Sequence, residues 1–223
     1  TGVQTCALPI FPTSDFHGSE YVGDYFKCRE YISGFTGSAG TLVVTLDEAG
    51  LWTDGRYFLQ AAKQLEGSGI MLRKERQPGV PAIEEYLKQT LKKGETLGFD
   101  GRCIMQDSAE KLITQLNAQG VAVRTDIDLT GAVWKNRPEL SAQPVWPLPV
   151  EYAGESSKSK IKRVREFLVE KKADYFLLTS LEDIAWLLNM RGNDIESTPV
   201  ILSYLLLGEK KLTWYVQEKC LSE

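Results

Sequence analysis

The stretch GTLVVTLDEAGLWTDGRYFLQAAKQ, residues 40–64, sets the fold class of this chain. β-Branched and apolar residues at 41–45 read as a strand, 47–50 as a turn and 51–53 as a second short strand, so the segment opens as a hairpin. After Asp54 the spacing lengthens from two to between three and four. Tyr57, Leu59, Ala61, Ala62 and Leu65 then fit an amphipathic helix whose free amides Asp54 would cap. One cation is out of place: Arg56 falls in the expected first helical turn, where the positive end of the peptide dipoles disfavours it. Either it pairs with Asp54 or another carboxylate, or it holds something.

Downstream, strand-like segments (70–74, 96–99, 121–124) alternate with helix-like ones (81–91, 107–118), separated by Gly or Pro. Such alternation specifies an α/β layer structure. Upstream, Tyr21, Tyr25, Cys28 and Ile32 recur at three and four, predicting a helix opened by Ser19. Residues 137–157 are proline-rich and aperiodic, which predicts an interdomain linker over 138–157 between units at 11–137 and 158–223. The second unit starts with a basic-edged helix at 158–172, with Ile161, Val164, Leu168 and, less regularly, Phe167 as its buried stripe. A strand (DYFLLTS), a helix (LEDIAWLLN) and two strands (PVILSYLLLG, KLTWYVQ) follow.

Bulk composition narrows the function classes. With 223 residues, 43% hydrophobic and 25% charged, the chain is globular and long enough for one full domain and part of another. No run approaches the roughly 18–20 apolar residues of a membrane span, so no membrane association is expected. A net charge of −4 offers no general attraction to nucleic acid. Cys6, Cys28, Cys103 and Cys220 lack metal-ligand or disulfide-framework spacing, which fits a reducing, cytoplasmic setting. The single histidine, His17, cannot be both metal ligand and proton shuttle.

Residues 1–10, TGVQTCALPI, back-translate to a common sequencing-library adapter and are expected to be non-native and outside the fold. The second unit has about 65 residues where domains of roughly 100–150 are usual. It is expected to be incomplete, with an exposed sheet edge and poor solubility.

Several clusters admit a chemical and a structural reading. Arg191, Asp194 and Glu196 share one turn, where capping and a surface ion pair are the simpler reading. Asp126 and Asp128 would face one side of a strand, as a pair of metal ligands requires, but no third ligand is near in sequence. The glycine-rich SGFTGSAG, 33–40, lacks phosphate-loop spacing and leads into a strand. The charges at 158–165 read as a solvated helix face, and His17 as a local partner of Asp15 or Glu20.

Three strings, SDFHGSEYVGDYFKCREYISGFTGSAGTLVVT, AGLWTDGRYFLQAAKQ and LEDIAWLLNMRGNDIESTPVILSY, resemble the amino-terminal half of the Xaa-Pro aminopeptidases (aminopeptidases P) of the creatinase/prolidase family. The resemblance spans residues 11 to about 216 and is to the long, three-domain type. It implies two tandem creatinase N-terminal-type domains, each a mixed sheet with flanking helices, ahead of a pita-bread catalytic domain absent here. It implies removal of an N-terminal residue preceding proline by two divalent metals, typically manganese, and a homodimer when full length. The family's metal ligands, two Asp, one His and two Glu, have no counterpart here, so the chain alone is expected to hold no metal and to be inactive. One peptide-contacting arginine, that of WTDGRY, maps onto Arg56 and makes it the expected substrate-binding residue. Asp54, His17 and Arg191 lie in matched strings as secondary candidates. A free-standing peptide- or partner-binding module, or another creatinase/prolidase member, stands as the alternative.

Overall fold

The computed structural model describes residues 8–221. They divide into two compact units: residues 26–138 together with the described residues up to Glu20, and residues 139–221 together with 21–25.

The first unit runs β1 (Leu8–Pro12), α1 (Cys28–Ser33), β2 (Thr41–Val44), β3 (Ala49–Thr53), α2 (Phe58–Gln64), β4 (Ile70–Lys74), α3 (Ile83–Thr90), β5 (Thr96–Gly98), α4 (Gln106–Asn117), β6 (Ala122–Arg124) and α5 (Leu129–Val133). Its six-stranded sheet has the order β4-β3-β2-β1-β5-β6. β1, β2 and β3 pair antiparallel; β3 with β4, β1 with β5 and β5 with β6 pair parallel, so the sheet is mixed. Alternation along the strands feeds two cores. Leu8, Ile10, Val43 and Trp52 face α3 and α4 through Leu87, Leu112 and Leu116. Phe11, Leu42 and Leu51 face the other way, toward Ala61 and Leu65 at α2 and Phe35 beyond α1.

The hairpin forms as expected, from Thr41↔Trp52 to Val44↔Ala49. Gly50 is required within it, because a Cβ there would lie 2.7 Å from the Trp52 ring. Three expectations are corrected. Residues 8–10 belong to the central strand β1, with Leu8 and Ile10 buried, so the excluded segment reaches into the fold; residues 1–7 lie outside the described residues. The helix foreseen from Ser19 begins only at Cys28, after a 3-10 turn at Asp24–Phe26, because the amide of Ser19 is taken by the Asp15 carboxylate at 2.9 Å. Leu59 and Ala62 are exposed, so the stripe of α2 that packs is Tyr57, Ala61 and Leu65.

The second unit runs β7 (Trp146–Pro147), α6 (Val150–Ala153), α7 (Ser157–Glu170), β8 (Tyr175–Leu178), α8 (Leu181–Leu188), β9 (Met190–Arg191), β10 (Ser203–Gly208) and β11 (Leu212–Val216). β10 pairs antiparallel with β8 and β11 in a three-stranded sheet, and β7 pairs with β9. Ile161, Val164 and Leu168 of α7 pack with Ile184, Leu187, Leu205 and Leu207. The stretch 138–157 is more than a linker. Val145 donates to the Cys220 carbonyl at 2.9 Å and Leu148 to that of Asn189 at 2.7 Å, fixing its extended backbone onto the second unit. Phe167 faces solvent, and Lys160 takes the inner position instead. Its ammonium donates to the Trp186 carbonyl at 2.8 Å and to Asn189 Oδ1 at 2.7 Å, closing the carboxyl end of α8.

Candidate functional site

The corner between β3 and α2 holds Arg56. Asp54 caps the turn and not the helix: its Oδ1 accepts the Arg56 amide at 2.9 Å, its carbonyl accepts the Tyr57 amide at 3.1 Å, and helical geometry starts at Phe58. Arg56 therefore precedes the helix, and the dipole conflict expected from its position disappears. The same carboxylate takes the guanidinium as a fork, with Nε donating to Oδ1 at 3.0 Å and Nη2 to Oδ2 at 2.9 Å. These bonds hold the Asp54 carboxyl below its ordinary range and raise the Arg56 guanidinium above its own. Arg56 remains solvent-facing, with its Nη1 3.6 Å from Glu20 Oε1 and its guanidinium carbon 5.3 Å from the Tyr57 ring centre.

The glycine-rich loop 33–40 lies against this corner. Tyr57 and Ser38 share a hydroxyl hydrogen bond of 2.7 Å, and the Gln60 and Gln64 amides both donate to Thr36 Oγ1 at 2.9 Å. Arg29, buried beneath the loop, donates to the carbonyls of Phe35 and Gly37, while Thr53 donates to that of Ala39 at 2.6 Å. Burial lowers the Arg29 guanidinium to about 10. Gly37 is obligatory, since a Cβ would lie 2.3 Å from Phe35 and 2.8 Å from Tyr57. The loop thus turns carbonyls inward onto cations and hydroxyls, and its role here is to brace Tyr57 beside Arg56. Arg29 escaped the sequence reading because one charge in the first turns of a short helix looks like a solvated residue. The glycines that need bracing were its signal.

The other secondary candidates, His17 and Arg191, have local partners of their own. His17 is buried beside Asp15, whose Oδ1 accepts its amide at 2.8 Å; its Nδ1 lies 3.8 Å from Asp15 Oδ2. Arg191 donates to the carbonyls of Ala185 at 2.7 Å and Met190 at 2.9 Å, closing the end of α8. Asp194 is a buried hub that accepts from Ser141 Oγ at 2.6 Å and from the amides of Gln143 and Leu202 at 3.0 and 2.8 Å. Asp126 pairs with Arg124, whereas Asp128 caps α5 and pairs with Arg137, so the two serve different partners. Cys28 and Cys103 line one cavity, and burial pushes both thiols up, Cys103 to about 12, away from the thiolate form. Among the described residues no three His, Cys, Asp or Glu side chains are grouped to hold a metal ion. The donor set of the described residues does not fit a dinuclear centre.

Comparison with known proteins matches the creatinase/prolidase N-terminal domain twice, over residues 27–138 and 136–223. Xaa-Pro aminopeptidase 1 of Dictyostelium discoideum is 38% identical over 99% of this chain, and a probable Xaa-Pro aminopeptidase P of Pyricularia oryzae 40% identical over 96%. The crystal structure of X-prolyl aminopeptidase from Caenorhabditis elegans, described as a cytosolic enzyme with a di-nuclear active site, superposes with a TM-score of 0.90 at 37% identity over 97% of this chain. The chain spans 36%, 35% and 35% of those three proteins' lengths, respectively. With both of its units matched, the chain belongs to the creatinase/prolidase N-terminal domain family.

Proposed function

We propose that this chain is the amino-terminal, non-catalytic part of a Xaa-Pro aminopeptidase, forming one wall of the cleft that receives peptides with proline in second position. The observation that supports it best is the superposition on the C. elegans enzyme across nearly the whole chain but only 35% of that protein. Two divalent metals, which we take to be manganese, would belong to sequence beyond the match and would supply the activated water there. This chain's part is binding. Arg56, held by Asp54 and flanked by Tyr57, offers fixed N–H donors to a peptide oxygen at an exposed corner. A cytoplasmic location follows the C. elegans relative, and homodimerisation of the full-length protein completes the reading.

Kinetics of the full-length protein test it. Arg56→Ala is expected to lower kcat/KM for an X-Pro peptide by about ten-fold, the loss of one hydrogen bond to a charged group, chiefly through KM. Unchanged kinetics would make Arg56 a partner of Asp54 alone. The 223-residue chain with manganese is expected to release no first residue from the same peptide, and turnover above background would place a centre within it.

A further inference from the structure

The Arg56 guanidinium has an inner and an outer side. Nε and Nη2 are committed to Asp54 at 3.0 and 2.9 Å. Outward, Nη1 lies 3.6 Å from Glu20 Oε1, with the two side chains 59% and 58% exposed. That separation is ion-pair range but too long for a hydrogen bond, so Nη1 can still donate to an oxygen arriving beside Glu20. Such an oxygen enters between two carboxylates that share one guanidinium, a local charge of −1. Farther out, Arg76 and Glu75, of opposite charge, both interact electrostatically with Asp54. A neutral peptide carbonyl fits this arrangement, whereas a carboxylate meets repulsion worth about three- to five-fold in binding at such distances in water.

We propose that Glu20 is a specificity-determining residue that reserves the outer edge of Arg56 for a neutral carbonyl and disfavours peptides bringing an acidic side chain there. This rests on Arg56 being a substrate contact. The Asp54 fork sets the direction of the guanidinium, and Glu20 sets which oxygens are admitted. Being exposed and held by one loose ion pair, Glu20 can be changed without cost to the fold.

The test uses the full-length, manganese-loaded enzyme and C-terminally amidated X-Pro peptides with Ala, Glu or Lys at the third or fourth position. Glu20→Gln is expected to raise kcat/KM for the Glu peptide about three-fold relative to the Ala peptide at one of those positions, through KM. Glu20→Lys is expected to raise it further and to lower the Lys peptide. Both effects should fade in 0.5 M salt, as exposed charges do. Glu-to-Ala ratios that stay at the wild-type value in both Glu20 variants, while Arg56→Ala still weakens every peptide, overturn the Glu20 proposal alone. If Arg56→Ala leaves every peptide unaffected, the substrate-contact reading falls and this proposal with it.

Discussion

The two sheets differ in how their edges are guarded. In the first unit the edge strand β4 ends in Arg73 and Lys74, and the opposite edge, β6, is only three residues long. Charge and brevity are the usual protections against edge-to-edge pairing. In the second unit β8 has one neighbour among the described residues, β10, and its sequence YFLL has no charge. Tyr175, Phe176 and Leu177 are 67%, 44% and 57% exposed. β8 thus reads as a buried strand, yet of its four residues only Leu178 is buried, while the first sheet is packed on both faces. A strand's apolar sequence states what it needs, and its neighbours decide whether it gets it.

The largest effect that would test this contrast lies in the first core. Trp52 is 1% exposed, and its indole donates to the Pro81 carbonyl at 2.9 Å. Trp52→Ala is expected to cost the first unit about 3–5 kcal/mol while leaving amide protection in β10 unchanged. Hydrogen exchange read by mass spectrometry checks this, and equal loss in both units would erase the distinction.

A smaller effect concerns Asp15, 1% exposed in the first unit. Burial alone would raise its carboxyl, but hydrogen bonds from His17 and Ser19 outweigh burial and hold it below the ordinary aspartate range. A depressed folded value means that its contribution is complete above about pH 4 and is lost as pH falls through that lower value. Asp15→Asn is expected to cost about 1–3 kcal/mol at pH 7 and to flatten the loss of stability on acidification. Urea unfolding at pH 7 and pH 3 reads both, and a parallel acid limb in wild type and variant would count against the role.

The smallest effect on stability belongs to β8. Phe176→Lys is expected to shift unfolding by no more than about 0.5 kcal/mol while reducing self-association of the 223-residue chain in light scattering. Unchanged association would mean that the apolar edge is not what limits solubility.

The hairpin at 41–53 was legible from its strand and turn residues, and helices α3 and α4 because each has one apolar period and one partner surface. Leu59 and Phe167 were not, since both helices have more apolar residues than their buried faces hold and periodicity cannot choose among them. Lys160 was hidden in a basic run at 158–165, where pattern alone says solvent; the Trp186 carbonyl and Asn189 Oδ1 that accept from it lie 26 and 29 residues on, at the carboxyl end of α8. At the candidate site the sequence singled out Arg56 and its partner Asp54. The loop carbonyls that accept from Arg29 and the Ser38 hydroxyl that pairs with Tyr57 are brought together only by the fold.

By itself the sequence determined the α/β class, the tandem arrangement and the identity of the exposed arginine, because these follow from local periodicity, turn chemistry and short strings. Tertiary structure alone decided that residues 8–10 form part of the central strand, that Asp54 caps a turn ahead of the helix, and that Glu20 stands on the open side of Arg56. The first and last depend on which distant atoms satisfy a backbone or charged group, which residue spacing along the chain does not encode; the turn depends on which of two local bonding patterns Asp54 adopts, which spacing does not settle.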